Sequence, residues 1–181
     1  TGDLLAGEAT AGTYRLLLVR PISRLQVVTS KFIAGIIYTN LLVLWMAILS
    51  LGLSFLLFGK GELLIVGEKI TILAADDIFW RFLYSYGYAA LSMTAVASMA
   101  FLFSALVENA IGPIASTMAI IIVFTIISTL NAPFITVIKP FLITTHLAGW
   151  KAFFEQPVAI DKIIASGGAL VAYCVVFYTA A

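Results

Sequence analysis

The sequence predicts an all-α fold: a polytopic transmembrane helix bundle, led by an amphipathic cytoplasmic helix and carrying short re-entrant or interfacial helices on its outer side. Three observations predict it. Of 181 residues, 62% are hydrophobic and only 10% are charged, against roughly 25% charged in a soluble domain. Four apolar segments approach the length of about 20 residues that crosses a hydrocarbon core about 30 Å thick. Proline- and glycine-bearing stretches separate them. This composition excludes a soluble enzyme, a disordered chain and a free nucleic-acid binder. Ten basic and nine acidic residues give a net charge of +1, so charge alone builds no polyanion surface. A single cysteine, Cys174, excludes an intramolecular disulfide framework and a cysteine-built zinc site.

Residues 1–31 form a basic, amphipathic lead-in. Thr13 is placed to cap a short helix over 14–19, and Pro21 disfavours helical geometry at Arg20. Tyr14, Leu17 and Leu18 then share one face, with Arg15 on another. Six residues cannot span a bilayer, so this helix lies on the membrane surface or docks into another protein. Ser23 with Gln26 three residues later makes a capping box. A single helix from Arg24 to Phe58 would be about 50 Å long. Its first turns, with Arg24, Gln26 and Lys31, would stand clear of the bilayer as a stalk.

The spans are read as 32–58, 82–106, 114–130 and 163–181. Asn40 lies about two turns into the first and needs a partner, because an unsatisfied amide in hydrocarbon costs several kcal/mol. A neighbouring helix and a hydrated path both supply one. In the second span, Ala90, Thr94, Ala97, Ala100 and Ser104 form a small-residue stripe suited to close helix packing, within the chain or at a dimer seam or translocation wall. No Asp, Glu, Lys or Arg falls deep within a span, which counts against a proton or sodium relay.

The connections differ in character. Residues 59–81 read as a polar link with three glycines and four acids. Residues 107–113 are a tight link in which Glu108 either pairs with an arginine or is a solvated turn acid, and Pro113 suits the first turn of the next helix. In 131–162, prolines break up an apolar stretch. Trp150, Phe153 and Phe154 recur there at helical spacing beside Lys151 and Glu155, a boundary pattern that either anchors the chain or forms an outer gate. His146 is the only histidine, and no second ligand type accompanies it. The lead-in carries four basic residues against Asp3 and Glu8. That favours a cytoplasmic lead-in in a cell (inner) membrane. The chain begins at Thr1 and ends in apolar sequence at Ala181, and it reads as part of a longer protein.

The run Gly7-Glu8-x3-Gly12-Thr13-Tyr14-x-Leu16-Leu17-Leu18-x-Arg20-Pro21-Ile22-Ser23-Arg24, followed by Lys31, resembles the cytoplasmic loop of permease subunits of ATP-binding-cassette transporters of the type-2 class. That resemblance implies that Glu8, Gly12, Thr13, Arg20, Pro21 and Arg24, with Tyr14, Arg15 and Leu17 on the helix between them, belong to the coupling helix that docks on an ATPase. It places Glu108 in the short loop between the family's fourth and fifth spans, counted with the ATPase-coupling residues, and Trp150, Phe153, Phe154 and Ile160 in the outer segment before the sixth. The family's first two spans have no counterpart in this sequence.

No G-x4-G-K-[ST] phosphate loop is present. The chain is therefore expected to have no catalytic residues, no metal and no cofactor of its own, with ATP and Mg on a partner ATPase subunit. A second copy or a homologous permease would complete a dimer around the path. Its apolar, aromatic character points to export of a hydrophobic or amphipathic molecule. A secondary transporter or channel subunit and a non-transporting membrane scaffold are the competing readings.

Overall fold

The computed structural model describes residues 23–59, 63–66, 70–73, 75–107, 109, 111–130 and 137–181. Their order is α1 (Arg24–Phe58), β1 (Leu63–Val66), β2 (Ile70–Leu73), α2 (Ala75–Leu106) and α3 (Ile111–Thr129). A 3-10 turn (Lys139–Phe141), α4 (Ile143–Leu147), a 3-10 helix (Ala148–Phe154) and α5 (Ile160–Ala180) complete it. Four helices, α1, α2, α3 and α5, are long and apolar enough to cross a membrane. The lead-in before Ser23, with Glu8, Gly12, Thr13, Tyr14, Arg15, Leu17, Arg20 and Pro21, lies outside the described residues, as does Glu108.

The capping box starts α1 as its residues require. The Ser23 hydroxyl accepts from the Gln26 N–H at 3.3 Å, and the Gln26 side chain accepts from the Ser23 N–H at 3.2 Å. The helix then runs unbroken for 35 residues, about 52 Å at 1.5 Å per residue. A division at residue 31 or 32 therefore falls inside a continuous element. Gly59 ends it at φ +68°, and its N–H bonds to the Phe55 carbonyl at 3.1 Å. Glycine adopts that conformation without the Cβ clash other residues would meet.

One connection and three helix starts differ from the sequence reading. The stretch 59–81 is more than a polar link: it holds an antiparallel pair of strands, in which Leu63 faces Leu73 and Val66 faces Ile70. Leu-Leu-Ile-Val and Ile-Thr-Ile-Leu are rich in strand formers, too short to outweigh the neighbouring acids and glycines in a composition reading. The helix that carries the second span also begins at Ala75, ahead of Phe82, because nothing in Ala75–Arg81 breaks a helix. α3 begins at Ile111, three residues before the expected start, with Pro113 in its first turn, and α5 begins at Ile160.

α2 is the centre of the bundle and packs against α1, α3 and α5. Tyr88, Ala95, Ile143 and Leu170 form a buried cluster between α2, α4 and α5, and Phe124 of α3 packs against it. Several helix hydroxyls are satisfied within their own helix. Thr39, Thr94, Ser98, Ser116 and Thr117 each donate to the carbonyl one turn back, at 2.7–2.8 Å. Such bonds let hydroxyls sit in apolar surroundings without a solvent partner.

Candidate functional site

Three groups of residues join the helices into one unit. The first is at the Ser23 end. Thr29 donates to the Leu25 carbonyl at 2.8 Å, which uses its only proton. The 2.7 Å contact between the Thr29 and Tyr178 hydroxyls is therefore donated by Tyr178 of α5. One turn on, the Phe32 ring stands edge-on to Phe101 of α2 (centroids 5.2 Å) and tilts against Tyr178 (4.7 Å). Phe101 is fully buried. Arg24, the last residue of the lead-in motif, opens α1 directly below this knot.

The second group lies in the body of the bundle. Asn40 donates to the Ile36 carbonyl at 2.9 Å and to the Thr94 hydroxyl at 3.1 Å. Thr94 accepts from Asn40 while donating to the Ala90 carbonyl, so the three groups are mutually consistent. The amide finds its partner on a neighbouring helix of the same chain. The stripe on α2 faces inward around this point: Ala97 and Ser104 are buried, Ala90, Thr94 and Ala100 half-buried.

The third group holds the segment 139–155 against the first turns of α2 and the middle of α5. Arg81 Nη1 donates to the Phe153 carbonyl at 2.9 Å and the Glu155 carbonyl at 3.4 Å. Tyr88 donates to the His146 carbonyl and Tyr173 to the Phe141 carbonyl, each at 2.6 Å. His146 Nε2 lies 2.8 Å from the Pro140 carbonyl. A carbonyl only accepts, so that nitrogen carries the proton. Carbonyls at the ends of short helices lack partners of their own, and these side chains supply them.

The aromatic residues singled out from sequence belong to this third group. Phe153 stacks on Tyr84 at 17° between planes and meets the edge of Tyr88. Phe154 stands edge-on to Phe82 at 5.1 Å. Trp150 packs on Phe154 at 6.2 Å and remains 42% exposed. Two of the three rings thus pack on α2, and Trp150 alone keeps an open face. Gly149 lies directly against the Tyr88 side chain of α2: a Cβ there would overlap the Tyr88 hydroxyl and lie 2.7 Å from Tyr88 Cζ.

Residue-type reasoning singled out Asn40, the stripe and the aromatic triplet. It passed over Thr29, Tyr178, Arg81, Tyr88 and Tyr173. Arg81 carried a signal, a lone cation at the start of an apolar helix. The tyrosines carried none, because their partners are backbone carbonyls far away in sequence. Among the described residues no group of three His, Cys, Asp or Glu is placed to hold a metal ion.

A family model described as "Protein of unknown function (DUF2705)" matches residues 1–177. The uncharacterized protein YhcI of Bacillus subtilis (strain 168) is 32% identical over 115 residues, covering 59% of this chain. The match takes in 35% of that protein's length. No solved structure matches the chain.

Proposed function

The chain belongs to the DUF2705 family, whose function is unknown, and we propose that it is the membrane-spanning permease subunit of an ATP-driven transporter of the ATP-binding-cassette class. A separate ATPase subunit, with its own ATP and Mg, would dock on the coupling segment formed by Glu8 to Arg24 from the cytoplasmic side of a cell membrane. A second copy, or a similar permease, would complete the path. An exported hydrophobic or amphipathic molecule suits the apolar, aromatic bundle.

The observation that carries the reading is the continuity of α1. The motif that resembles a coupling loop ends at Arg24, the first residue of a capped, uninterrupted helix of 35 residues. That helix exceeds a hydrocarbon core about 30 Å thick by several turns. A push on the lead-in would therefore reach the span through a rigid rod. The scarcity of charge within the spans suits a pump whose energy comes from outside the bilayer. Closure of two ATPase subunits on ATP would tilt the rods and shift the bundle between two access states.

Purification of the tagged full-length protein from its native membrane tests this. An ATP-binding-cassette subunit should accompany it. The triple variant Arg15→Glu, Arg20→Glu, Arg24→Glu should release that subunit while the helical content stays unchanged. Association that survives the charge reversal would sink the coupling assignment. ATPase activity in liposomes that no candidate amphipathic cargo stimulates would favour a scaffold instead.

A further inference from the structure

We propose that α1 is a pivoted lever, with the Thr29–Tyr178 hydroxyl pair as the clasp at its base and the Asn40–Thr94 bond as its fulcrum. The proposal deepens the coupling reading and rests on it only for the origin of the force; the clasp and the fulcrum are matters of geometry.

Among the described residues, α1 makes side-chain hydrogen bonds to two different helices. Thr29 meets Tyr178 on α5 at 2.7 Å. Asn40 meets Thr94 on α2 at 3.1 Å. The two points are 11 residues apart, about 16 Å along the axis. Gly35, between them, is buried.

Beyond Asn40, among the described residues, no side-chain hydrogen bond joins α1 to another helix, and its half-buried residues Val43, Ala47 and Leu51 are apolar. Leu41, Trp45, Met46 and Leu56 are 58–79% exposed. Ser50 and Ser54 face outward. Phe55 touches Phe79 only through a ring contact at 6.2 Å. Apolar contact in lipid is non-directional and slides at little cost, because lipid tails replace it. A directional hydrogen bond in hydrocarbon does not slide. A force that travels along α1 from Ser23 therefore reaches the Thr29–Tyr178 pair before the Asn40–Thr94 bond and turns the helix about Asn40, so that the far half swings through lipid.

The clasp suits a switch better than a weld. Thr29 keeps its bond to the Leu25 carbonyl when Tyr178 leaves, so opening strands no helix carbonyl. The lost bond is one neutral hydroxyl pair, and the Phe32–Tyr178 ring contact at 4.7 Å gives the tyrosine a place to return to.

The test is pulsed electron paramagnetic resonance on the full-length protein in phosphatidylcholine nanodiscs, with Cys174→Ser as background. One spin pair, Leu25→Cys with Thr179→Cys, reports the base. A second pair, Leu56→Cys with Trp80→Cys, reports the far end. All four sites are exposed. Thr29→Val combined with Tyr178→Phe should lose the single narrow distance at both ends, and Thr29→Ser, which keeps the hydroxyl, should preserve both. An unchanged base distance in the double variant overturns the clasp. A change at the base with none at the far end overturns the fulcrum. Should the double variant fail to accumulate, Tyr178→Phe alone is measured against the same two criteria. None of these distances needs an ATPase. Their failure is thus distinct from failure of the charge-reversal experiment, which judges the coupling partner.

Discussion

At the Ser23 end, helices meet side chain to side chain: Thr29 with Tyr178, Phe32 with Phe101 and Tyr178. At the opposite end, the side-chain hydrogen bonds that hold the segment 139–155 go to its backbone. Arg81, Tyr88 and Tyr173, together with His146 from within the segment, reach the carbonyls of Pro140, Phe141, His146, Phe153 and Glu155. The two designs respond differently to substitution. A side-chain joint fails when either partner changes. The segment's hydrogen bonds depend on the donors that α2 and α5 bring to it, while its buried Ile143 and half-buried Phe153 and Phe154 add apolar packing. The first arrangement suits a joint that opens and closes, the second a cap that stays in place.

That contrast can be broken most severely at Phe101. Its ring is fully buried between α1 and α2. Phe101→Ala should cost about 3 kcal/mol, the lower part of the range for emptying a core aromatic. Reversible unfolding in mixed micelles measures the loss, and hydrogen exchange should rise around Thr29–Phe32 while residues 143–154 keep their protection. Exchange rising equally at both ends would erase the distinction between them.

Gly149→Val is next. Its Cβ would enter the space of the Tyr88 ring, and overpacking of this kind costs about 1–3 kcal/mol. Protease cleavage within 148–156 should accelerate with no change in cleavage near Ser23. Arg81→Gln removes a charge-assisted donor to two carbonyls, with an expected loss of about 1.5 kcal/mol. Its effect should appear as faster exchange at Phe153–Gln156, and Arg81→Lys should recover only part of it because the shorter lysine side chain does not bring its ammonium to the position of Nη1. The smallest effect is expected at Lys162→Gln. Its 3.6 Å pair with Glu155 joins side chains 72% and 52% exposed, and exposed pairs contribute about 0–1 kcal/mol. A loss above that range would show that the ion pair, rather than the carbonyl bonds, fixes the segment.

Much of this architecture was legible in the residues. The capping box at Ser23 and Gln26 and the unbroken run to Phe58 follow from local rules that tertiary packing does not override. So does Asn40's need for a partner, since hydrocarbon offers none. The strands at 63–66 and 70–73 were not legible, because four-residue strands give too short a pattern and acquire meaning only when paired. Arg81, Tyr88 and Tyr173 were illegible for a different reason. A donor to a backbone carbonyl can meet any residue type, so nothing in the sequence of 139–155 marks what receives it.

What the sequence by itself determined is the set of long apolar helices and where the first of them starts, because the cost of exposing apolar side chains and unpaired peptide groups is set residue by residue. Only the tertiary structure decided which hydroxyl faces which. Thr29 and Tyr178 are 149 residues apart, and their contact depends on how α1 and α5 rotate and stack on α2. That rotation is fixed by the combined packing of buried rings and small residues, a property no single stretch of the chain carries.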